Sequence, residues 1–240
     1  VGSTVKRVSL ELGGNAPLLV FADADLHKAV KGAIASKFRN AGQTCVCANR
    51  ILVEDSIYDE FSKKLADAVS KLKVGDGQAN GVEIGPLIDK NAIEKVEALV
   101  AEAIGSGAVA LTGGKRHSAG AQFYMPTVLA NVTRAMRVNT EEIFGPVAPL
   151  IRFKDEDEAV AIANDTPFGL AGYFFTQDIN RAWRVAERLE YGMVSVNEGV
   201  FSNEVIPFGG WKESGLGREG GVEGLEEYLE TKFINFGGFA

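Results

Sequence analysis

Cysteine is the residue type in this sequence that is best suited to nucleophilic chemistry, and the chain has two, Cys45 and Cys47. A thiolate attacks electrophilic carbon when its pKa is depressed or when a base lies nearby. Gly42 and Gln43 are expected to end the helix that precedes Cys45, which places the thiol near a turn. By residue type alone, however, a cysteine is more often a small buried side chain than a nucleophile.

The bulk composition argues against several classes of function. A formal net charge of −7 disfavours a nucleic-acid surface, because such a surface needs clustered Lys and Arg. The apolar runs 16–22 and 147–151 are too short to span a bilayer. The two cysteines and two histidines lack the spacing of a zinc site, so no metal role is predicted. Without an evident secretion signal, the expected location is cytoplasmic, or the mitochondrial matrix if the parent is eukaryotic.

Short apolar runs alternate with amphipathic patterns along most of the chain. Strands are predicted over residues 16–21, 50–53, 109–111, 147–153, 171–175 and 193–196. Helices are predicted over 26–38 with Asp25 as N-cap, 57–72 with Ser56 as N-cap, 92–104, 156–164 and 179–189. Alternating helices and continuously apolar strands favour an α/β fold with a mostly parallel sheet flanked by helices.

The C-terminal residues have a different pattern. Residues 223–228 are predicted to be helical, whereas residues 230–236 alternate polar and apolar side chains as a half-exposed strand does. A terminal strand of this kind either pairs with another chain or folds as an edge strand onto its own domain, and the sequence leaves both open.

Four motifs, in a fixed order, carry a resemblance to a known family. They are Leu-Glu-Leu-Gly-Gly-Asn at 10–15, Phe-Arg-Asn-Ala-Gly-Gln-Thr-Cys at 38–45, Glu-Glu-Ile-Phe-Gly-Pro at 141–146 and Pro-Phe-Gly-Gly-Trp-Lys-Glu-Ser-Gly at 207–215. Together they resemble the signatures of the aldehyde dehydrogenase superfamily, and each motif alone would be a weak signal. This resemblance favours the interpretation of Cys45 as a nucleophile over its interpretation as a small buried side chain.

The resemblance implies a mechanism for the first two motifs. Cys45 would attack the aldehyde carbon, and donors that include its own backbone N–H would stabilise the oxyanion. Hydride would leave to a nicotinamide cofactor, NAD or NADP, and Glu11 would act as general base in hydrolysis of the resulting thioester. The alternative for Glu11 is a solvated charge at a strand end.

The same resemblance assigns residues to the cofactor. Glu142 would accept hydrogen bonds from the nicotinamide ribose hydroxyls, since two carboxylate oxygens suit a vicinal diol. Phe144 would pack beside the nicotinamide. Leu12 and Gly13 would lie on the nicotinamide side of the site, where glycine lets the backbone pass closely. The choice between NAD and NADP depends on the adenine ribose end and is not predicted.

The substrate is predicted from a longer match. Residues 38–50 are similar to succinate-semialdehyde dehydrogenases, in which residues matching Arg39 and Ser202 bind the substrate carboxylate. Guanidinium groups bind carboxylates in a bidentate manner, and Phe208 would form a wall of the aldehyde tunnel. Alternatively, Arg39 is an exposed cation on the last turn of a helix, favoured by the helix dipole. An uncharged or quaternary-amine aldehyde is the alternative substrate.

Cys47 is a candidate redox partner of the nucleophile. In an extended segment, residues 45 and 47 lie on one side with their Cα atoms near the upper limit for a disulfide. Some members of the resembling subfamily use a reversible bridge to block the nucleophile. A small buried thiol without a role is an equal alternative.

The family resemblance also bears on domain organisation. Residues 1–10 are interpreted as the end of an interdomain segment, 11–212 as the catalytic domain, and 213–240 as a C-terminal helix and oligomerisation-type strand. An N-terminal dinucleotide-binding domain is expected to be absent, so this chain is expected to be inactive alone, or else to be a non-catalytic assembly fragment. A homo-oligomer is expected for the intact enzyme.

Overall fold

A sheet of seven strands runs through the residues that the computed structural model describes, which are 2–201 and 203–238. Its strands are β1 (Ala16–Val20), β2 (Ala48–Glu54), β3 (Val109–Thr112), β4 (Thr127–Ala130), β5 (Val147–Phe153), β6 (Ala171–Phe175) and β7 (Met193–Val196). Their order across the sheet is β3-β4-β5-β2-β1-β6-β7.

Most neighbouring strands in this sheet are parallel. β1 lies between β2 and β6 and is parallel to both, whereas β3 and β4 at one edge are antiparallel. The predicted α/β fold with a mostly parallel sheet is therefore confirmed. The sequence prediction missed β4, a strand of four buried residues.

Five principal helices accompany the sheet. They are α1 (Leu26–Lys37), α2 (Tyr58–Val69), α3 (Lys90–Gly105), α4 (Glu156–Asn164) and α5 (Ile179–Arg188). Four begin with an aspartate whose side chain accepts first-turn N–H groups, namely Asp25, Asp89, Asp155 and Asp178. Ser56 is not a cap, because a 3-10 turn over Asp55–Ile57 precedes α2 and no side chain caps that helix. Within the described ranges, every helix is too short or too polar to cross a membrane.

The central strands are fixed by an unusual buried cation, Arg50 of β2. Its guanidinium donates to the carbonyl oxygens of Asn15, Ile162 and Ala163 and to the hydroxyl of Tyr191, at 2.7 to 3.2 Å. A buried charge is tolerated when it is fully hydrogen-bonded. Arg50 therefore joins the starts of β1 and β2 to the C-terminal end of α4.

The C-terminal segment differs from the prediction. A short helix covers Glu223–Glu226, and residues 229–238 have no regular structure and are exposed. The alternative in which residues 230–236 form an edge strand on their own domain is therefore wrong. Pairing of this segment with another chain stays a prediction.

Candidate active site

Cys45 lies in a tight turn between α1 and β2. The helix ends at Lys37, and a 3-10 turn over Arg39–Gly42 follows it. The backbone N–H of Cys47 donates to the carbonyl oxygen of Thr44 at 3.0 Å and closes a turn around Cys45. The prediction that residues 45–47 are extended is therefore wrong, because this hydrogen bond folds the segment back on itself.

The turn before Cys45 has a strained backbone. Asn40 and Ala41 have φ angles of 51° and 54°, in the left-handed region that L-residues avoid at a cost of roughly 1 kcal/mol each. The side chain of Gln43 compensates: its Nε2 donates to the carbonyl oxygen of Asn40 at 3.2 Å, and its Oε1 accepts from the N–H of Ile88 at 2.8 Å. Sequence reasoning treated Gln43 as a helix breaker, whereas the structure shows that it anchors the nucleophile turn.

Two glycines bring the other motifs against this turn. A Cβ on Gly14 would lie 2.7 Å from the carbonyl oxygen of Cys45, and one on Gly13 would lie 2.7 Å from Oε2 of Glu142. Only residues without a Cβ permit approaches this close. The segment after Glu11 is thus held between the nucleophile turn and the Glu142 loop.

The Cys45 thiol is half-buried and faces acidic groups. Burial raises its pKa above the ordinary value, and the nearby carboxylates of Glu11 and Glu142 raise it further. Backbone N–H groups of Cys45 and Val46 oppose the rise by hydrogen bonding to the sulfur. The resting nucleophile is therefore the protonated thiol, so its attack on an electrophile requires a base to accept the proton.

Glu11 is held next to the C-terminal motif. The short strand Leu10–Glu11 pairs antiparallel with Gly215–Leu216, and Ser214 Oγ donates to the carbonyl oxygen of Gly13 at 2.8 Å. Burial raises the pKa of the Glu11 carboxyl, Glu219 raises it further, and Arg218 opposes both. A carboxyl with a raised pKa is suited to accept and return a proton near neutral pH.

The groups beside Glu11 include two that were not predicted as site residues. Glu219 and Phe208 exchange backbone hydrogen bonds in both directions at 2.7 Å, so the predicted wall residue Phe208 lies beside Glu11's acidic neighbour. Glu219 and Arg218 belong to a glycine-rich run, and a pair of charged residues within such a run is the sequence feature that could have marked them as site residues. Their proximity to Glu11 depends on the tertiary pairing of distant segments.

Glu142 is half-buried and lies against Gly13 and Gly14. Its Oε1 accepts from the N–H of Gly14 at 2.9 Å, and its carbonyl oxygen accepts from Lys95 Nζ at 2.6 Å. Burial raises the pKa of the Glu142 carboxyl, while the Gly14 N–H and the ammonium groups of Lys95 and Lys37 oppose that rise. Two exposed apolar side chains, Leu12 and Phe144, are the residues that the sequence placed beside a nicotinamide ring.

A buried lysine near the site was missed by sequence reasoning. Lys37, in the last turn of α1, is only 1% exposed, and burial lowers its pKa to about 8 against the opposing effects of Cys47 and Glu142. Cys47 is also buried, with its sulfur 2.5 Å from Thr44 Oγ1. A lysine at the end of an amphipathic helix normally indicates a solvated cation, so the sequence carries no signal for this burial.

Arg39 lies beyond the helix end rather than on its last turn. It is exposed and lines a narrow crevice with Val46, Tyr173 and Phe201, whose ring stacks on Tyr173 at 5.2 Å. The structure thus brings Arg39 to the side of the nucleophile turn. Ser202, the other predicted carboxylate ligand, lies outside the described residues.

Comparison with known proteins gives concordant results. A family model described as the aldehyde dehydrogenase family matches residues 1–234. The chain is 60% identical over 233 residues to succinate-semialdehyde dehydrogenase (NADP(+)) of Escherichia coli strain K12, which covers 97% of this chain and 48% of that protein. It is 59% identical over 235 residues to 3-sulfolactaldehyde dehydrogenase of Pseudomonas putida, which covers 98% of this chain and 48% of that protein.

A solved structure agrees with these sequence matches. The crystal structure of an Escherichia coli NADP-dependent enzyme superposes with a TM-score of 0.92 at 61% identity. The match covers 94% of this chain and 47% of that chain. The chain spans about half the length of the curated relatives that it matches.

Proposed function

The chain belongs to the aldehyde dehydrogenase family, and from this premise we propose that it carries the chemical centre of an enzyme that oxidises an aldehyde to a carboxylic acid with NAD or NADP. The observation that carries the proposal is the convergence of Cys45, Glu11 and Glu142 from three distant motifs. The two carboxylates are close enough to raise the pKa of the Cys45 thiol.

The residues present fit the nicotinamide end of the cofactor. Glu142 offers carboxylate oxygens to a ribose diol, and a side chain on Gly13 would collide with its Oε2. Leu12 and Phe144 offer exposed apolar surface to a flat ring. When bound there, the cofactor supplies a hydride acceptor.

The chain's own residues account for the remaining steps. A carboxylate takes the proton of the Cys45 thiol, and the thiolate attacks the aldehyde carbon to give a thiohemiacetal. The backbone N–H of Cys45 stabilises its oxyanion. Loss of hydride leaves a thioester, and Glu11 removes a proton from the water that hydrolyses it. Of the two protons that carboxylates take up, one returns to the Cys45 sulfur and the other leaves to solvent, so the products are the free carboxylic acid and the regenerated thiol.

The proposed substrate is succinate semialdehyde. Arg39 beside the nucleophile turn is a suitable ligand for the distal carboxylate, and a bidentate guanidinium–carboxylate pair contributes about 1.5–3 kcal/mol. Both relatives are named for aldehydes that carry an anionic group. An aldehyde that ends in a sulfonate is the second candidate, because a guanidinium binds either anion.

The division into residues 1–10, 11–212 and 213–240 and the pairing of the tail with a second copy remain part of this proposal. We further propose that the enzyme is a homo-oligomer. The reversible Cys45–Cys47 disulfide stays a prediction, and the two cysteines lie in a turn rather than in an extended segment.

An ester assay tests the nucleophile and base without any cofactor. A 4-nitrophenyl ester transfers its acyl group to Cys45, releases nitrophenolate, and leaves a thioester that Glu11 hydrolyses. We expect the 240-residue chain to turn over this ester, Cys45→Ala to lose turnover, and Glu11→Gln to release a single burst of nitrophenolate. Equal turnover by the wild type and Cys45→Ala would refute the proposed mechanism.

A substrate swap tests the anchor in the complete enzyme. We expect Arg39→Ala to raise KM for succinate semialdehyde by about 10-fold or more, and to leave KM for an uncharged aldehyde of similar length within about 2-fold. Arg39→Lys, which keeps the charge but not the bidentate fork, should be intermediate. Equal effects on the two aldehydes would contradict the assignment.

A further inference from the structure

Two buried asparagines connect the segments that carry the proposed base and nucleophile. Asn15 follows Glu11 by four residues and directly precedes β1, and Asn49 follows Cys45 by four residues on β2. Asn49 Nδ2 donates to Asn15 Oδ1 at 2.7 Å. Both side chains are buried, with exposures of 1% and 3%.

The amide of Asn49 also holds the backbone on both sides of Glu142. Its Nδ2 donates to the carbonyl oxygen of Glu141 at 2.8 Å, and its Oδ1 accepts from the N–H of Ile143 at 3.0 Å. One planar amide therefore fixes residues 141 and 143 while the side chain between them reaches the site. The two Nδ2 hydrogens and the Oδ1 are all used.

Asn15 extends the same network toward the preceding short helix, Arg137–Thr140. Its Nδ2 donates to the carbonyl oxygen of Asn139 at 2.9 Å, and its own carbonyl oxygen accepts from Arg50. The pair thus joins three chain segments: the one that follows Glu11, the one that follows Cys45, and the loop that carries Glu142.

We propose that Asn49, with Asn15 as its partner, is a positioning residue that sets the Glu142 carboxylate relative to Cys45. The inference rests on the proposed function, in which Glu142 binds the nicotinamide ribose. By holding residues 141 and 143, Asn49 would set where the Glu142 carboxylate meets the nicotinamide ribose relative to Cys45.

The chemistry of the pair explains why an amide is required. Removing the Asn49 side chain takes away the partner that it gives to the Glu141 carbonyl, the Ile143 N–H and the Asn15 Oδ1. Groups of this kind are stabilised by moving toward water, and the 141–143 segment can do so more readily than strand β1. A misplacement of about 1 Å is enough to slow a positioned reaction roughly 100-fold.

The test compares Asn49→Ala with a matched control in the complete enzyme. The Asn164 side chain makes an equivalent pair of backbone hydrogen bonds away from the Cys45 turn. Its Nδ2 donates to the carbonyl oxygen of Arg188 at 2.9 Å, and its Oδ1 accepts from the N–H of Glu190 at 3.0 Å. We expect Asn49→Ala to raise KM for NAD(P)+ or lower the hydride-transfer kcat at least 10-fold. Its cofactor-free ester hydrolysis should stay within 2-fold, and Asn164→Ala should change neither.

Two kinetic outcomes would overturn the inference. One is an unchanged KM and kcat in Asn49→Ala, and the other is a parallel loss of ester hydrolysis and cofactor-dependent turnover in that variant. Hydrogen exchange of the Ile143 amide provides an independent readout in the wild type, which we expect to be as slow as in β2. Fast exchange there would also overturn it. A wild type that is inactive in both assays but slow in exchange would instead refute the proposed function while supporting the role of Asn49 in holding the loop.

Discussion

Lys37 allows a quantitative test of the electrostatics around the site. Its ammonium group is buried at the end of α1, where burial lowers its pKa from 10.5 to about 8. At about 1.4 kcal/mol for each tenfold change in proton affinity, holding this charge in the folded state at pH 7 costs about 3 kcal/mol. We therefore expect Lys37→Met, which keeps the apolar stem and removes the charge, to be more stable than the wild type at pH 7.

The pH dependence of the stability difference between Lys37→Met and the wild type follows from the pKa of Lys37, which is 10.5 in the unfolded chain and about 8 in the folded chain. Between pH 8 and 10.5 the unfolded chain still binds a proton that the folded chain has released, so wild-type stability rises with pH in that window. The variant lacks this contribution, and other titrating groups cancel in the comparison. The advantage of Lys37→Met should therefore shrink by about 2 kcal/mol between pH 7 and pH 9.5.

Urea unfolding of the 240-residue chain at the two pH values measures this difference. A change of about 2 kcal/mol also corresponds to a relative shift in Tm of about 4–8 °C for a chain of this size. Lys71→Met, at an exposed lysine just after α2, is the matched control and should show no such change. An equal difference between wild type and Lys37→Met at both pH values would refute the buried-charge reasoning.

Two further perturbations test the nucleophile turn. Gly42→Ala should lower the free energy of unfolding by at least about 2 kcal/mol, because at a φ of 77° the new Cβ would lie 2.1 Å from the carbonyl oxygen of Gly145. Gly77→Ala, whose new Cβ would meet no atom within 4 Å, is the control. Equal urea midpoints for the two variants would contradict the predicted strain at Gly42. Because burial raises the pKa of the Cys45 thiol, the acylation burst of Glu11→Gln, which lacks this carboxylate to take the thiol proton, should still be gaining rate at pH 9 with a 4-nitrophenyl ester. A plateau reached below pH 8 would show instead that the thiol pKa is lowered.

Secondary structure followed from local pattern wherever the pattern was long. The predicted ranges for β5, β6, β7 and α4 agree with the structure to the residue, because each is a mostly apolar run or a capped amphipathic segment. The prediction failed where hydrogen bonds of a few residues decide the conformation. The Thr44–Cys47 turn and the 3-10 turn before α2 are examples, since one such bond overrides the preference of an extended or helical segment.

The sequence by itself determined which residue types could do chemistry and which family they resemble, because motif order and residue identity are properties of the chain. It could not determine that Lys37 is buried, that Glu219 faces Glu11, or that Asn49 holds the Glu142 loop. Each of these depends on segments far apart in the sequence that meet only when the chain folds. A side chain's burial, its pKa and its partners are set by those meetings, and only the tertiary structure decides them.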